Sequence, residues 1–216
     1  MIINMKWQSE WHAADTFNVS IGQGRQNYTP LQLAVYTAAL ANGGTVYEPY
    51  VVDRVVDNAG NTVLDNEPVI KQQAQISDET FQKVKEAMCR VTEPGGGAYG
   101  LFANFPADIR VAAKTGTAQP GRTGYIVGNK QYYDGLFICY APADDPQIAI
   151  YVVVDRPNAK KQDDAKFATV IVRNILTEVL PYLNIYMTEE LSEDEIEELA
   201  RTTVDEIAEE QAHNNI

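Results

Sequence analysis

Histidine and cysteine are nearly missing from this chain: its 216 residues hold two of each. His12 and His213 stand at opposite ends without metal-like partners, which argues against a histidine metal site or a histidine-based triad. Cys89 and Cys139 each lie inside an apolar run, outside any CxxC or zinc spacing, and read as two buried free thiols, so redox compartment is left open. No metal or organic cofactor is implied. Long apolar stretches are missing too. Nothing approaches the ~20 residues of a membrane span, and Glu10 and Asp15 fall where a signal peptide would be apolar. The chain as written is therefore expected to carry neither an export signal nor an anchor. Positive charge is scarce, with Lys and Arg at 17 against 30 Asp and Glu, and the basic residues are scattered. Phosphate binding needs a basic patch, so no nucleic-acid partner is expected.

What is present is enough to fold. With 45% apolar and 22% charged residues the chain can bury an ordinary core, which excludes wholesale disorder. The acidic excess is concentrated: residues 188–213 contain eleven Asp and Glu against Arg201 alone. Two parts are expected, a near-neutral body over 1–187 and an acidic tail over 188–216. In the tail Ser192 and Glu195 form a capping box, and Ile196, Leu199, Ala200, Thr203 and Ile207 recur at helical spacing. This predicts an amphipathic helix, either solvated or docked on a partner.

Along the body, Thr29, Pro30 and Gln32 predict a capped helix over about 30–42, stopped at Gly43-Gly44. Residues 46–64 alternate around the turn Asp57-Asn58-Ala59-Gly60-Asn61 and read as a hairpin. Ser77 caps a second helix, with Asp78 and Glu79 matching its dipole and Phe81, Val84, Met88 and Val91 in helical phase, ended by Pro94-Gly95-Gly96-Gly97. Strands are predicted over 109–118, 135–140 and 148–155, the last two antiparallel across the turn Pro142 to Pro146. The unbroken apolar run from Ile148 to Val154 suits a central strand. The connection 119–134 is long, polar and glycine-bearing, a length more often functional than idle. A third helix is expected over about 163–180, with Phe167, Val170, Ile171, Ile175 and Val179 to one side and Pro181 at its end.

The residues that carry chemistry are Lys114-Thr115-Gly116-Thr117, at the end of the first predicted strand. Lysine offers a cation to an acidic ligand group, and a threonine hydroxyl can donate to a carboxylate. Glycine lets another backbone approach where a Cβ would block it, and a strand-edge N–H can serve an oxyanion. Those are the needs of acyl transfer on a peptide ending in a carboxylate.

The tetrad belongs to an ordered series: Ser20-Ile21-Gly22-Gln23-Gly24, Thr29-Pro30-Leu31-Gln32-Leu33-Ala34, Ala41-Asn42-Gly43-Gly44, Lys114-Thr115-Gly116-Thr117, and Phe137-Ile138-Cys139-Tyr140-Ala141-Pro142. In order and spacing these blocks resemble class B penicillin-binding proteins, and the Ser-Ile-Gly-Gln-Gly segment resembles the elongation type. The resemblance covers about residues 15–185. It implies an α+β, β-lactamase/transpeptidase-like fold, an antiparallel sheet flanked by helices, and peptidoglycan D,D-transpeptidase activity inhibited by β-lactams. The implied partners are peptidoglycan stem peptides and β-lactams, and the implied location is the outer face of the bacterial cell membrane. By the same resemblance Lys114, Thr115 and Thr117 would hold the substrate or penicillin carboxylate, Gly116 would permit close approach, and the Thr117 N–H would be one oxyanion donor.

Serine is the decisive scarcity. In that family the nucleophile begins an SxxK motif, with SxN beside it. The chain has four serines, Ser9, Ser20, Ser77 and Ser192, and the third residue after each is His12, Gln23, Thr80 and Glu195. None begins SxN. Without a nucleophile and its base no acyl-enzyme forms, so this chain alone is expected to be inactive, with no catalytic residue of its own. The expectation is the C-terminal portion of a transpeptidase domain, incomplete on its N-terminal side. Two alternatives are a nucleophile-free module that binds peptidoglycan peptides, and part of a β-lactamase or β-lactam sensor.

Overall fold

The structure, a computed structural model, describes residues 11–24, 28–105, 109–119, 126–127, 130–157 and 166–185. The acidic tail and the expected boundary at 187 lie outside these residues.

Helix α1 (Ala13–Ser20) opens the described chain, its first turn closed by the His12 N–H donating to Asp15 at 2.9 Å. Helix α2 (Pro30–Ala41) follows the expected cap: Thr29 Oγ1 accepts from the Gln32 N–H at 3.2 Å, and Gln32 Oε1 accepts from the Thr29 N–H at 2.9 Å. Gly43 and Gly44, at φ of 77° and 102°, stop it.

The segment read as one hairpin is two nested ladders. Strand β1 (Thr45–Tyr47) pairs with β4 (Ile70–Gln73), and β2 (Arg54–Val56) pairs with β3 (Thr62–Asp65). Only the inner pair uses the predicted turn, where Asp57 Oδ1 accepts from the N–H groups of Ala59 and Asn61 at 2.9 and 2.8 Å. Pro49 has no N–H to continue the β1 ladder, which is why the alternating run breaks before β2.

Helix α3 (Asp78–Cys89) is capped by Ser77 as expected, but its buried face is narrower than its apolar spacing suggested: Met88 and Cys89 are buried while Val84 is exposed. The single turn α4 (Tyr99–Phe102) was not foreseen, since four residues are too few to show a period. Strand β5 (Ala112–Ala118) carries the tetrad. The long connection contains the short antiparallel pair β6 (Ile126–Val127) and β7 (Lys130–Gln131). Strands β8 (Asp134–Ala141) and β9 (Ile148–Asp155) and helix α5 (Lys166–Tyr182) follow among the described residues.

Strands β5, β8 and β9 form an antiparallel sheet in that order. The central strand is therefore β8, and β9, expected in the middle for its apolar run, lies at the edge of the described sheet with most residues half-buried. Register fixes the two faces. Ala113, Cys139 and Ile150 stand side by side, and Ala112, Tyr140 and Ala149 stand side by side one residue earlier along β5. The first row packs under α5, in a core that includes Phe102, Phe137, Val172 and Leu176. The second packs against α3 through Met88 and Cys89 and against α2 through Leu40. Each fully buried Leu, Val or Phe of these rows contributes roughly 1.5–3 kcal/mol relative to exposure, so α5 is held chiefly by its sheet-facing side.

That side only partly overlaps the one expected: Ala168, Val172, Leu176 and Leu180 are buried together with the expected Val170, while the expected Phe167, Ile175 and Val179 are half-buried and Ile171 is exposed. The helix is apolar on more than one side, so period alone left the facing residue open by one step, and small Ala168 allows the closer approach. Pro181 sits in the last turn of α5.

Candidate active-site strand

Period 2 along β5 divides the tetrad between the two sheet faces. Lys114 and Gly116 share the face of Ala112, Thr115 and Thr117 the face of Ala113, with Lys114 exposed and the other three half-buried. Gly116 stands opposite Leu136 of β8, and a Cβ added to it would come within 3.3 Å of the Leu136 Cβ. The strand thus uses its glycine where it passes a branched neighbour.

β5 is the outer strand of the described sheet, with β8 along one side only. The Thr115 carbonyl accepts from Lys114 Nζ at 2.7 Å, and the Thr117 carbonyl accepts from Gln23 Nε2 at 3.1 Å. In an antiparallel ladder the N–H and C=O of one residue point to the same side and successive residues alternate. Carbonyls reached by side chains at Thr115 and Thr117 place the N–H groups of those two residues on the outer edge as well, and leave Lys114 and Gly116 to pair with β8. The outer edge accordingly offers N–H and C=O groups in pairs, an ammonium beside them, and two threonine hydroxyls on the neighbouring face. Such an edge can pair with an extended chain and hold a terminal carboxylate. Beyond the tetrad, Gln119 Nε2 donates to the Tyr133 hydroxyl at 3.1 Å, tying the strand's exit to the lead-in of β8.

The four residues singled out in the sequence are thus brought together by one strand. Gln23, in the Ser20 to Gly24 block, joins them through the fold, and its residue type alone does not mark it as a site residue. The signal was its position between Gly22 and Gly24, both at positive φ, which shape a loop able to reach another element.

Two serines fall within the described residues, and both have structural roles: Ser20 Oγ donates to the Phe17 carbonyl at 2.7 Å, and Ser77 caps α3. Among the described residues no group of three His, Cys, Asp or Glu side chains is placed to hold a metal, and no helix is long and apolar enough to cross a membrane. A cavity of about 320 Å³ lined by Thr92, Tyr99, Phe102, Ile109 and Arg110 opens before β5 begins, at the opposite end from the tetrad.

An antiparallel sheet held between α5 on one face and α2 and α3 on the other, with Lys-Thr-Gly-Thr on its outer strand, defines the transpeptidase-like α+β class anticipated from the sequence. The chain belongs to the penicillin-binding protein transpeptidase family: the family model for the penicillin binding protein transpeptidase domain matches residues 4–177. Stage V sporulation protein D of Bacillus subtilis is 36% identical over 167 residues, which span 77% of this chain and 25% of that protein. Peptidoglycan D,D-transpeptidase MrdA of Acinetobacter baumannii is 36% identical over 162 residues, 69% of this chain and 23% of that one. Among solved structures, penicillin-binding protein 2B from Streptococcus pneumoniae R6 superposes with a TM-score of 0.66 at 25% identity, covering 85% of this chain and 29% of its own. Pseudomonas aeruginosa PBP2 in complex with WCK 5153 gives 0.63 at 26% identity, covering 86% and 36%. The chain therefore spans about a quarter of the length of these curated relatives.

Proposed function

We propose that this chain supplies the substrate-binding strand of a peptidoglycan D,D-transpeptidase, and that the nucleophile and its lysine come from sequence outside these 216 residues. The observation that carries the reading is the outer edge of β5, where outward backbone groups of Thr115 and Thr117 adjoin the exposed Lys114. The Lys114 ammonium and the threonine hydroxyls hold the terminal carboxylate of a stem peptide or a β-lactam. Gly116 keeps the strand flat against it. When a serine hydroxyl adds to the ligand's carbonyl carbon, the oxygen gains negative charge, and the Thr117 N–H with the nucleophile's own N–H stabilises it. The amine then leaves with a proton, an acyl ester remains, and an incoming amine takes the acyl group and frees the serine. The relative named peptidoglycan D,D-transpeptidase MrdA supports this chemistry, and on this reading the work is done at the outer face of the cytoplasmic membrane.

The lack of SxxK and SxN favours, as a second reading, a module that binds the same peptides without chemistry. A membrane fraction of the source cells, run on one gel and read with fluorescent penicillin and with an antibody against this chain, separates the two. Both signals on one band well above 24.0 kDa support the transpeptidase reading. An antibody band near 24.0 kDa without penicillin label supports the binding module.

A further inference from the structure

An open strand edge is a template for any extended chain, and on β5 the two outward acceptors of the tetrad, the carbonyls of Thr115 and Thr117, are already covered from within the protein. The covers differ in kind. Lys114 reaches the carbonyl of the next residue, and a ligand carboxylate offers its ammonium an alternative partner. Gln23 comes from 94 residues away in sequence, so its contact with the Thr117 carbonyl is made by the fold and not by local geometry. The loop is shaped for it: Gly22 and Gly24 stand at φ of 79° and 80°, and a Cβ on Gly24 would meet the Asn18 Cβ at 2.9 Å. A primary carboxamide carries the same N–H and C=O pair as a peptide group. Its N–H on Thr117 therefore occupies the place that the amide of an extended ligand would take.

We propose that Gln23 is a specificity-determining residue whose carboxamide stands on the Thr117 carbonyl in place of a ligand amide, so that a ligand must displace it with an amide N–H of its own. The proposal rests on the reading of Lys114 to Thr117 as the ligand strand and adds a selectivity to it. A ligand that brings an N–H exchanges one hydrogen bond for another. A ligand without one leaves Gln23 in place and gains nothing at Thr117.

The test uses the full 216-residue chain, labelled with ¹³C at threonine carbonyls and with ¹⁵N, and two probes: N-acetyl-D-alanyl-D-alanine and its analogue methylated on the acetylated nitrogen. Without ligand, Gln23→Ala and the similarly sized non-donor Gln23→Glu both move the Thr117 carbonyl signal. With ligand, Gln23→Ala binds the N–H-bearing peptide about threefold to tenfold more tightly, the worth of one neutral hydrogen bond, while affinity for the methylated peptide is unchanged. A Thr117 carbonyl signal indifferent to both substitutions overturns the inference whatever the ligands do, and so does an equal gain for both peptides. If the amides of Thr115 to Thr117 stay still with either peptide while the carbonyl signal responds to Gln23→Ala, the contact stands and the ligand-strand reading fails, taking the specificity role with it.

Discussion

Arg110 Nη2 lies 2.9 Å from Glu86 Oε2, joining the lead-in of β5 to α3. The same guanidinium reaches Glu93 at 3.2 Å and Asp144, in the turn between β8 and β9, at 3.4 Å, and Lys85 meets Asp144 at 2.9 Å. These charges clamp the end of the sheet opposite the tetrad. Hydrogen bonding and charge from Arg110 hold the Glu86 carboxyl below its ordinary 4.5, and Lys85 and then Arg110 hold Asp144 below its ordinary 3.8. A carboxylate whose value is depressed by folding contributes stability above its unfolded value and loses it as pH falls through the folded one. The melting temperature should therefore fall from pH 4.5 downward. In Arg110→Gln that acid limb is shallower, because Glu86 loses its chief partner. Thermal melts of both proteins from pH 6 to 3 in low salt measure the difference, and parallel acid limbs would remove Arg110 as the cause.

Thr92 is buried, and its hydroxyl donates to the Val111 carbonyl at 2.7 Å while also lying 3.1 Å from the Cys89 carbonyl. It stitches the end of α3 to the residue before β5. Thr92→Val keeps the shape and removes the donor, leaving the buried Val111 carbonyl short of a partner at a cost of about 1–3 kcal/mol. Urea unfolding should show a lower midpoint with an unchanged slope.

These tethers explain how much of the fold was legible. The caps at Thr29 and Ser77, the three sheet strands and their antiparallel turn are local signals, and each lies where its residues place it. Partner choice is non-local and was not legible. Nothing in the alternation of residues 46–64 says that β1 seeks β4, and nothing in the apolar run Ile148 to Val154 says which of two antiparallel neighbours lies between the others. For the site, the tetrad announces its chemistry by residue type. The Gln23 contact with Thr117 depends on tertiary folding, and only the flanking glycines hinted at it.

Gly116→Ala separates folding from binding. The added methyl meets Leu136 at 3.3 Å, a crowding that a shift of a few tenths of an ångström relieves for about 1 kcal/mol. On the proposed reading the shift that relieves this crowding moves the edge groups of Thr115 and Thr117 that hold the ligand, so penicillin labelling of the polypeptide holding this chain should fall by more than stability does. Lys114→Ala, at an exposed position, should leave stability within about 0.5 kcal/mol and still reduce labelling. Equal labelling of wild type and both variants would sink the role given to the strand.

Cys139 lies in the core under α5 with no exposed surface, and burial pushes its thiol well above the ordinary range; Cys89, at the end of α3 where it packs on the sheet, is pushed up to about 11, burial again being the main cause. The thiolate is the reactive form. At pH 8 neither thiol should react with a disulfide reagent in the folded protein, and both should react in denaturant. Fast labelling of the native protein would contradict the packing of both cores.

The apolar surface left uncovered has its own consequence. Helix α2 is apolar on nearly every side, which suits a helix covered all round, yet Leu31 is 58% exposed and Tyr36 45% exposed. Beside it on the sheet, the row Gly116, Leu136, Val153 continues past the residues that α3 covers, and Val153 is 38% exposed. Exposed apolar area of this kind favours association. The 216-residue chain produced by itself should sediment as oligomers whose proportion rises with concentration, and the double substitution Leu31→Lys, Tyr36→Lys should shift it toward monomer without lowering helix content. A wild-type chain that stays monomeric across the concentration range would mean that this surface is not sticky enough to need a cover.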